Sequence, residues 1–132
     1  MSTNPPSVDP KALRAALLRL HRELLQAQVI EVERATGRSM TPNGVLQAAL
    51  EDPRFNWLRD LSGLAADLDA EIAESRSDGR SADPTQAIER AVQLIAPPHA
   101  EEAFGALYLR SLQLYPAVVM AHRDLLALIT QE

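Results

Sequence analysis

A chain of 132 residues with 46% hydrophobic residues is one domain's worth and long enough to bury a core. It has no cysteine, which removes disulfides, thiolate metal sites and cysteine nucleophiles together. Acids outnumber bases by 18 to 13, Lys11 is the only lysine, and the arginines are scattered among acids. No basic stripe is present to attract phosphates, so a nucleic-acid partner is not expected.

Leu and Ala dominate and Gly is scarce, a composition of helix formers that points to an all-α protein. The start, Met1-Ser2-Thr3-Asn4-Pro5-Pro6-Ser7, has neither a basic nor an apolar signal region. The most membrane-like stretch, 103–121, carries Arg110 at its middle and Pro116 near its end, which makes it a poor span. A cytoplasmic protein with no membrane partner is therefore expected. The arginine-rich, lysine-poor usage suggests a GC-rich bacterial genome.

Start signals punctuate the chain. Asp-Pro occurs at 9–10, 52–53 and 83–84, and Thr41-Pro42 has the same form. The acid or hydroxyl accepts from an orphan N–H at the N-cap, and proline at N1 has no N–H to lose. A first helix is expected over 10–36, with Leu13, Leu17, Leu20 and Leu24 as its stripe and Gly37 as its left-handed stop. Leu18, Leu25, Val29 and Val32 widen that stripe. A short helix follows over 42–51. Asp52-Pro53 then restarts a helix to about residue 74, with Leu58, Leu61, Ala65, Leu68 and Ile72 on one face, flanked by Trp57 and Leu64. Residues 75–82 read as a polar, mobile loop.

A modest helix over 84–96 uses Ile88, Ala91, Val92 and Ile95. Pro97-Pro98 ends it and opens another over 99–114, and Tyr115-Pro116 kinks the chain into a last helix to about residue 130. No stretch alternates with period two for long enough to make a strand. The expected fold is an all-α, single-domain bundle of four main helices with a short extra helix and a kinked C-terminal helix. Residues 1–8 would form a disordered tail and 9–132 the domain.

Two histidines sit in matching surroundings. His21 has Leu17, Leu18, Leu24 and Leu25 at i−4, i−3, i+3 and i+4, and His122 has Val118, Val119, Leu125 and Leu126 at the same offsets. On a helix these neighbours share a face, so each imidazole emerges from an apolar stripe and must find a partner, bind something or stay neutral. The bland reading is a core imidazole bonded to a carboxylate or carbonyl. The sharper one brings both into a single site between the first and last helices. A metal there would need further ligands from Asp69, His99 or Glu102, and neither Glu-x-x-His nor His-Glu-x-x-His occurs, so no metal and no cofactor is expected.

The segment Phe55-Asn56-Trp57-Leu58-Arg59-Asp60-Leu61-Ser62-Gly63-Leu64 holds the only tryptophan. Its pattern, Phe-x-Trp-Leu-Arg-x-Leu-Ser-x-Leu followed by Asp69, resembles a group of small all-helical bacterial proteins of unassigned activity. That resemblance implies a bundle and brings no activity with it. Trp57 reads as a core anchor. Arg59, Ser62 and Asp69 lie on the more polar edge of the helix, where they either line a small polar site or form a solvated edge with a local ion pair.

In residues 104–115, Phe104, Ala106, Leu107, Tyr108, Leu109, Leu112, Leu114 and Tyr115 encircle the helix. A helix that is apolar nearly all round is central in a bundle or covered by a second subunit. Phe104, Tyr108 and Tyr115 are accordingly candidates for a homodimer interface. No Gly-x-Gly-x-x-Gly, Walker loop or Gly-x-Ser-x-Gly elbow is present. The expectation is a non-catalytic protein acting through a protein partner or through itself. The alternative is a small-ligand binder or enzyme with an inter-helical pocket near His21, His122 and Trp57.

Overall fold

A computed structural model describes residues 8–95 and 103–130, apart from the side chains of Ala103 and Phe104. All regular structure among the described residues is helical. The helices are α1 (Pro10–Thr36), α2 (Pro42–Glu51), a 3-10 turn at Pro53–Leu58, α3 (Arg59–Asp78), α4 (Thr85–Ile95), α5 (Ala103–Leu114) and α6 (Pro116–Ile129).

The caps act as the sequence implies. Asp9 accepts from the backbone of Lys11, Thr41 from Gly44 and Asp52 from Arg54, and Gly37 ends α1 at φ 69. Two expectations are corrected. Residues 53–58 form a 3-10 turn rather than the first turns of α3, and this seats Phe55, Trp57 and Leu58 in the core together. The polar run after residue 74 continues α3 to Asp78, and Gly79 closes it at φ 68. Buried Ser75 returns its hydroxyl to the Ile72 carbonyl at 2.7 Å, so its polarity does not break the helix. The connection beyond Gly79 is pinned, because the Glu71 carboxylate accepts from Arg80 at 2.7 Å and from the Asp83 backbone at 2.8 Å.

α1 is the axis of the molecule, packing against α6 on one flank and α3 on the other. Its stripe Leu13, Leu17, Leu20 and Leu24 is fully buried. Arg19 pairs with Asp124 at 2.6 Å, while Gln26 and Ile30 border the same groove as Ala117 and Val118, so α6 runs antiparallel to α1. Arg14 pairs with Asp69, and Gln28 bonds Trp57 at 2.9 Å, so α3 is antiparallel as well. α4 returns along α3, joined to it by the Arg90–Asp67 ion pair, and packs against α5 and α6 as well. α5 and α6 meet at Tyr115-Pro116 with a bend of 117°. No single helix among the described residues is long and apolar enough to cross a membrane. Val8, assigned above to the tail, packs into the core.

Candidate functional site

Five of the six ligand-site candidates lie along or beside one seam. Arg14, His21 and Gln28 are spaced by seven residues on α1, about two turns, and so share a line on the helix. The outer two both reach the α3 side, Arg14 to Asp69 and Gln28 to Trp57. His21, between them, faces the same flank. Ser62 stands seven residues before Asp69, so the antiparallel register sets it level with His21. Nothing chemical joins the two. The Ser62 hydroxyl turns back to the Arg59 carbonyl at 3.2 Å, and His21 forms no hydrogen bond or ion pair with a described residue. Every buried side-chain nitrogen and oxygen among the described residues has a partner, so the unpartnered ring nitrogens of His21 reach the surface. Burial of the ring's apolar part holds the imidazole pKa below its ordinary value.

His122 is elsewhere. α6 lies on the flank of α1 that carries Arg19, and His21, two residues further on, is about 200° around the helix from it. The histidines thus face opposite sides of α1. His122 meets Tyr108 instead: Nδ1 is 2.5 Å from the tyrosine hydroxyl, with ring centroids 5.4 Å apart. Burial pushes the Tyr108 hydroxyl up and the His122 imidazole down in pKa. Both shifts favour a protonated tyrosine that donates to a neutral imidazole.

Trp57 is buried, and its Nε1–H donates to Oε1 of Gln28. Beside it is a cleft of about 200 Å³ bordered by Gln28, Glu31, Leu107, Arg110 and Ser111. Neither histidine borders it. Glu31 draws Arg110 at 3.3 Å and the Tyr115 hydroxyl at 3.3 Å, which closes the cleft's polar side with groups that satisfy one another. Arg59 donates to the Leu50 carbonyl, tying the end of α2 to the start of α3. Asp69 and Arg14 form an ion pair in which both side chains are about half exposed, 49% and 45%, an arrangement of small energetic weight.

No group of three or more His, Cys, Asp or Glu converges as a metal site among the described residues. His99 and Glu102 lie outside the described residues.

The apolar girdle of α5 divides. Tyr108 is fully buried within the chain, and Tyr115 is half-buried against Glu31. Leu107 and Leu114 are its exposed large apolar members, at 36% and 50%. The Phe104 side chain lies outside the described residues.

The feature that sequence reasoning passed over is α2. None of its residues is buried, and Leu46 and Leu50 are the most exposed large apolar side chains among the described residues, at 63% and 67%. They are one turn apart and share a face. The spacing was visible in the sequence, but so short a pattern gives no sign of whether a neighbour covers it. Comparison of the chain with protein-family models, with curated proteins and with solved structures gives no match.

Proposed function

We propose that this chain is a non-catalytic, cytoplasmic bacterial protein that works by binding another protein or a second copy of itself. In this reading α1, α3, α4 and the broken α5–α6 rod are the four bodies of a bundle, and α2 is an appended contact element. The observation that carries it is the exposure of Leu46 and Leu50, at 63% and 67%, on a helix with no buried residue. Isolated surface leucines are ordinary, but a helix whose apolar ridge faces water has only weak reasons of its own to stay folded. A partner on that ridge supplies the missing reason. The bacterial part rests on the arginine-dominated composition and the Phe55–Leu64 pattern.

The rival is a small-ligand binder or enzyme with a pocket near His21, His122 and Trp57. Its best support is the cleft at Trp57, whose volume of about 200 Å³ falls below the ~300–1,000 Å³ of ordinary ligand sites. The two histidines face other directions. Association is favoured on both counts.

Hydrogen exchange of the α2 amides tests this. They should slow on raising the protein concentration or on adding extract of the source cells, and a Leu46→Ser, Leu50→Ser variant should show no slowing. Equal α2 exchange under all three conditions would overturn association through this helix.

A further inference from the structure

α2 buries none of its residues, and the element it packs on is the 3-10 turn. Ala48 packs against the core, as does Met40 just ahead of the helix. The firmer grips are polar, one at each end, and both take hold of backbone. At the entry the Glu33 carboxylate, in the last turn of α1, accepts from the Met40 N–H at 2.7 Å. At the exit the Arg59 guanidinium, on the first residue of α3, donates to the Leu50 carbonyl. An anion ahead of the first turn and a cation at the last carbonyls also suit the helix dipole.

α2 has ten residues, and an isolated helix shorter than roughly 12–15 residues is marginal in water. It therefore keeps its shape only while docked, so undocking and melting are one event. With no side chain of α2 buried, that event exposes little apolar surface, while the freed segment regains its conformational entropy. It costs far less than unfolding the bundle, whose core stripes belong to α1 and α3. The flanks permit it. Gly37-Arg38-Ser39 at the entry is exposed. At the exit Asp52 accepts from the Arg54 backbone and so belongs to the 3-10 turn, which lets release stop at residue 51.

We infer that α2 is a strap that opens as a unit while the bundle stays folded, with Glu33 and Arg59 as its two clasps. Opening melts residues 38–51 and uncovers the α2 side of the 3-10 turn, the segment that carries Phe55, Trp57 and Leu58. It is a property of the single chain and does not require the association proposed above. A partner that binds folded α2 draws the strap shut, and the fraction closed scales that partner's affinity.

Native-state hydrogen exchange of dilute protein, with urea raised in steps below the unfolding midpoint, reads the strap directly. The amides of residues 45–51 should be protected at least about a hundredfold less than those of residues 17–24 in α1. Their exchange should also depend little on urea, because that slope follows the surface exposed on opening. Arg59→Met removes one clasp and keeps an apolar stem. It should lower α2 protection about fivefold and leave α1 and the later turns of α3 unchanged. Arg59→Lys should restore part of the loss, and Glu33→Ala should act in the same way from the other end. Protection and urea slope in α2 equal to those of α1 overturn independent opening. α2 protection that ignores both Arg59→Met and Glu33→Ala overturns the clasps, and so does an equal loss in α1, α2 and α3. Exchange at one dilute concentration reads opening, whereas its change with concentration or extract reads association, so either can fail alone.

Discussion

The Tyr108 hydroxyl and Nδ1 of His122, 2.5 Å apart, join two helices that meet at a 117° bend. Tyr108 is fully buried, so this contact answers the hydrogen-bonding need of a polar group that the fold has taken out of water. It explains how a tyrosine can serve as a core residue in α5. It also leaves Leu107 and Leu114 as the exposed large apolar side chains of that helix.

Tyr108→Phe keeps the ring and removes the hydroxyl. Stability should fall by about 1 kcal/mol, a drop of about 4 °C in melting temperature for a domain of this size. Without the donor that favours its neutral form, His122 should also titrate at higher pH, which NMR of the imidazole reads directly. An unchanged His122 titration would mean that the contact is packing alone.

Acid should destabilise the protein in two steps. Burial lowers the folded pKa of both His21 and His122 below the unfolded value of about 6.5. The unfolded chain then binds more protons, so the histidine contribution is complete above that value and is lost as pH falls through the folded pKa. His21→Gln with His122→Gln should flatten denaturant stability as pH falls below about 6.5. Glu71 acts lower down. The Arg80 guanidinium and then the Asp83 backbone N–H hold its carboxyl at about 2. Its contribution is present above the ordinary glutamate value and is lost as pH falls towards 2. Glu71→Gln should remove that second step and leave the first.

Two glycines should respond to alanine with opposite signs. Gly63 is inside α3, and a Cβ added there meets nothing within 4 Å, so Gly63→Ala should stabilise by about 0.5–1 kcal/mol. Gly79 stands at φ 68 as the stop of the same helix, so Gly79→Ala should cost about 1 kcal/mol through a left-handed backbone that alanine resists. Thermal melts of the two variants check both. A destabilising Gly63→Ala would mean that the seam beside His21 closes more tightly in solution.

Trp57 is the sole tryptophan and is buried, so its emission should be blue-shifted when folded and shift red in one step on unfolding. Trp57→Phe removes the bond to Gln28 and leaves unfilled volume near the 3-10 turn. The expected loss is about 1–2 kcal/mol in urea unfolding, followed by circular dichroism.

Much of the fold was legible because its signals are local. Asp9-Pro10, Thr41-Pro42 and Gly37 bound α1 and α2 where expected, and the leucines at 13, 17, 20 and 24 all face the core. Capping and 3.6-residue periodicity act within a few residues, so the sequence carries them whole. The end of α3 was not legible. A polar run from 75 reads as a loop until Ser75 is seen bonding its own helix and Glu71 is seen holding Arg80 and Asp83.

The candidate site divides along the same line. That His21 and His122 each sit in an apolar stripe follows from the sequence alone. That they face opposite flanks of α1 follows only from which helix lies on which side, a choice made by the joint packing of distant stripes. The same holds for exposure. Tyr108 and Leu50 are both apolar-face residues to the sequence, yet one is fully buried and the other is 67% exposed. Periodicity defines a face, and only the neighbours that cover it determine whether it becomes core or surface.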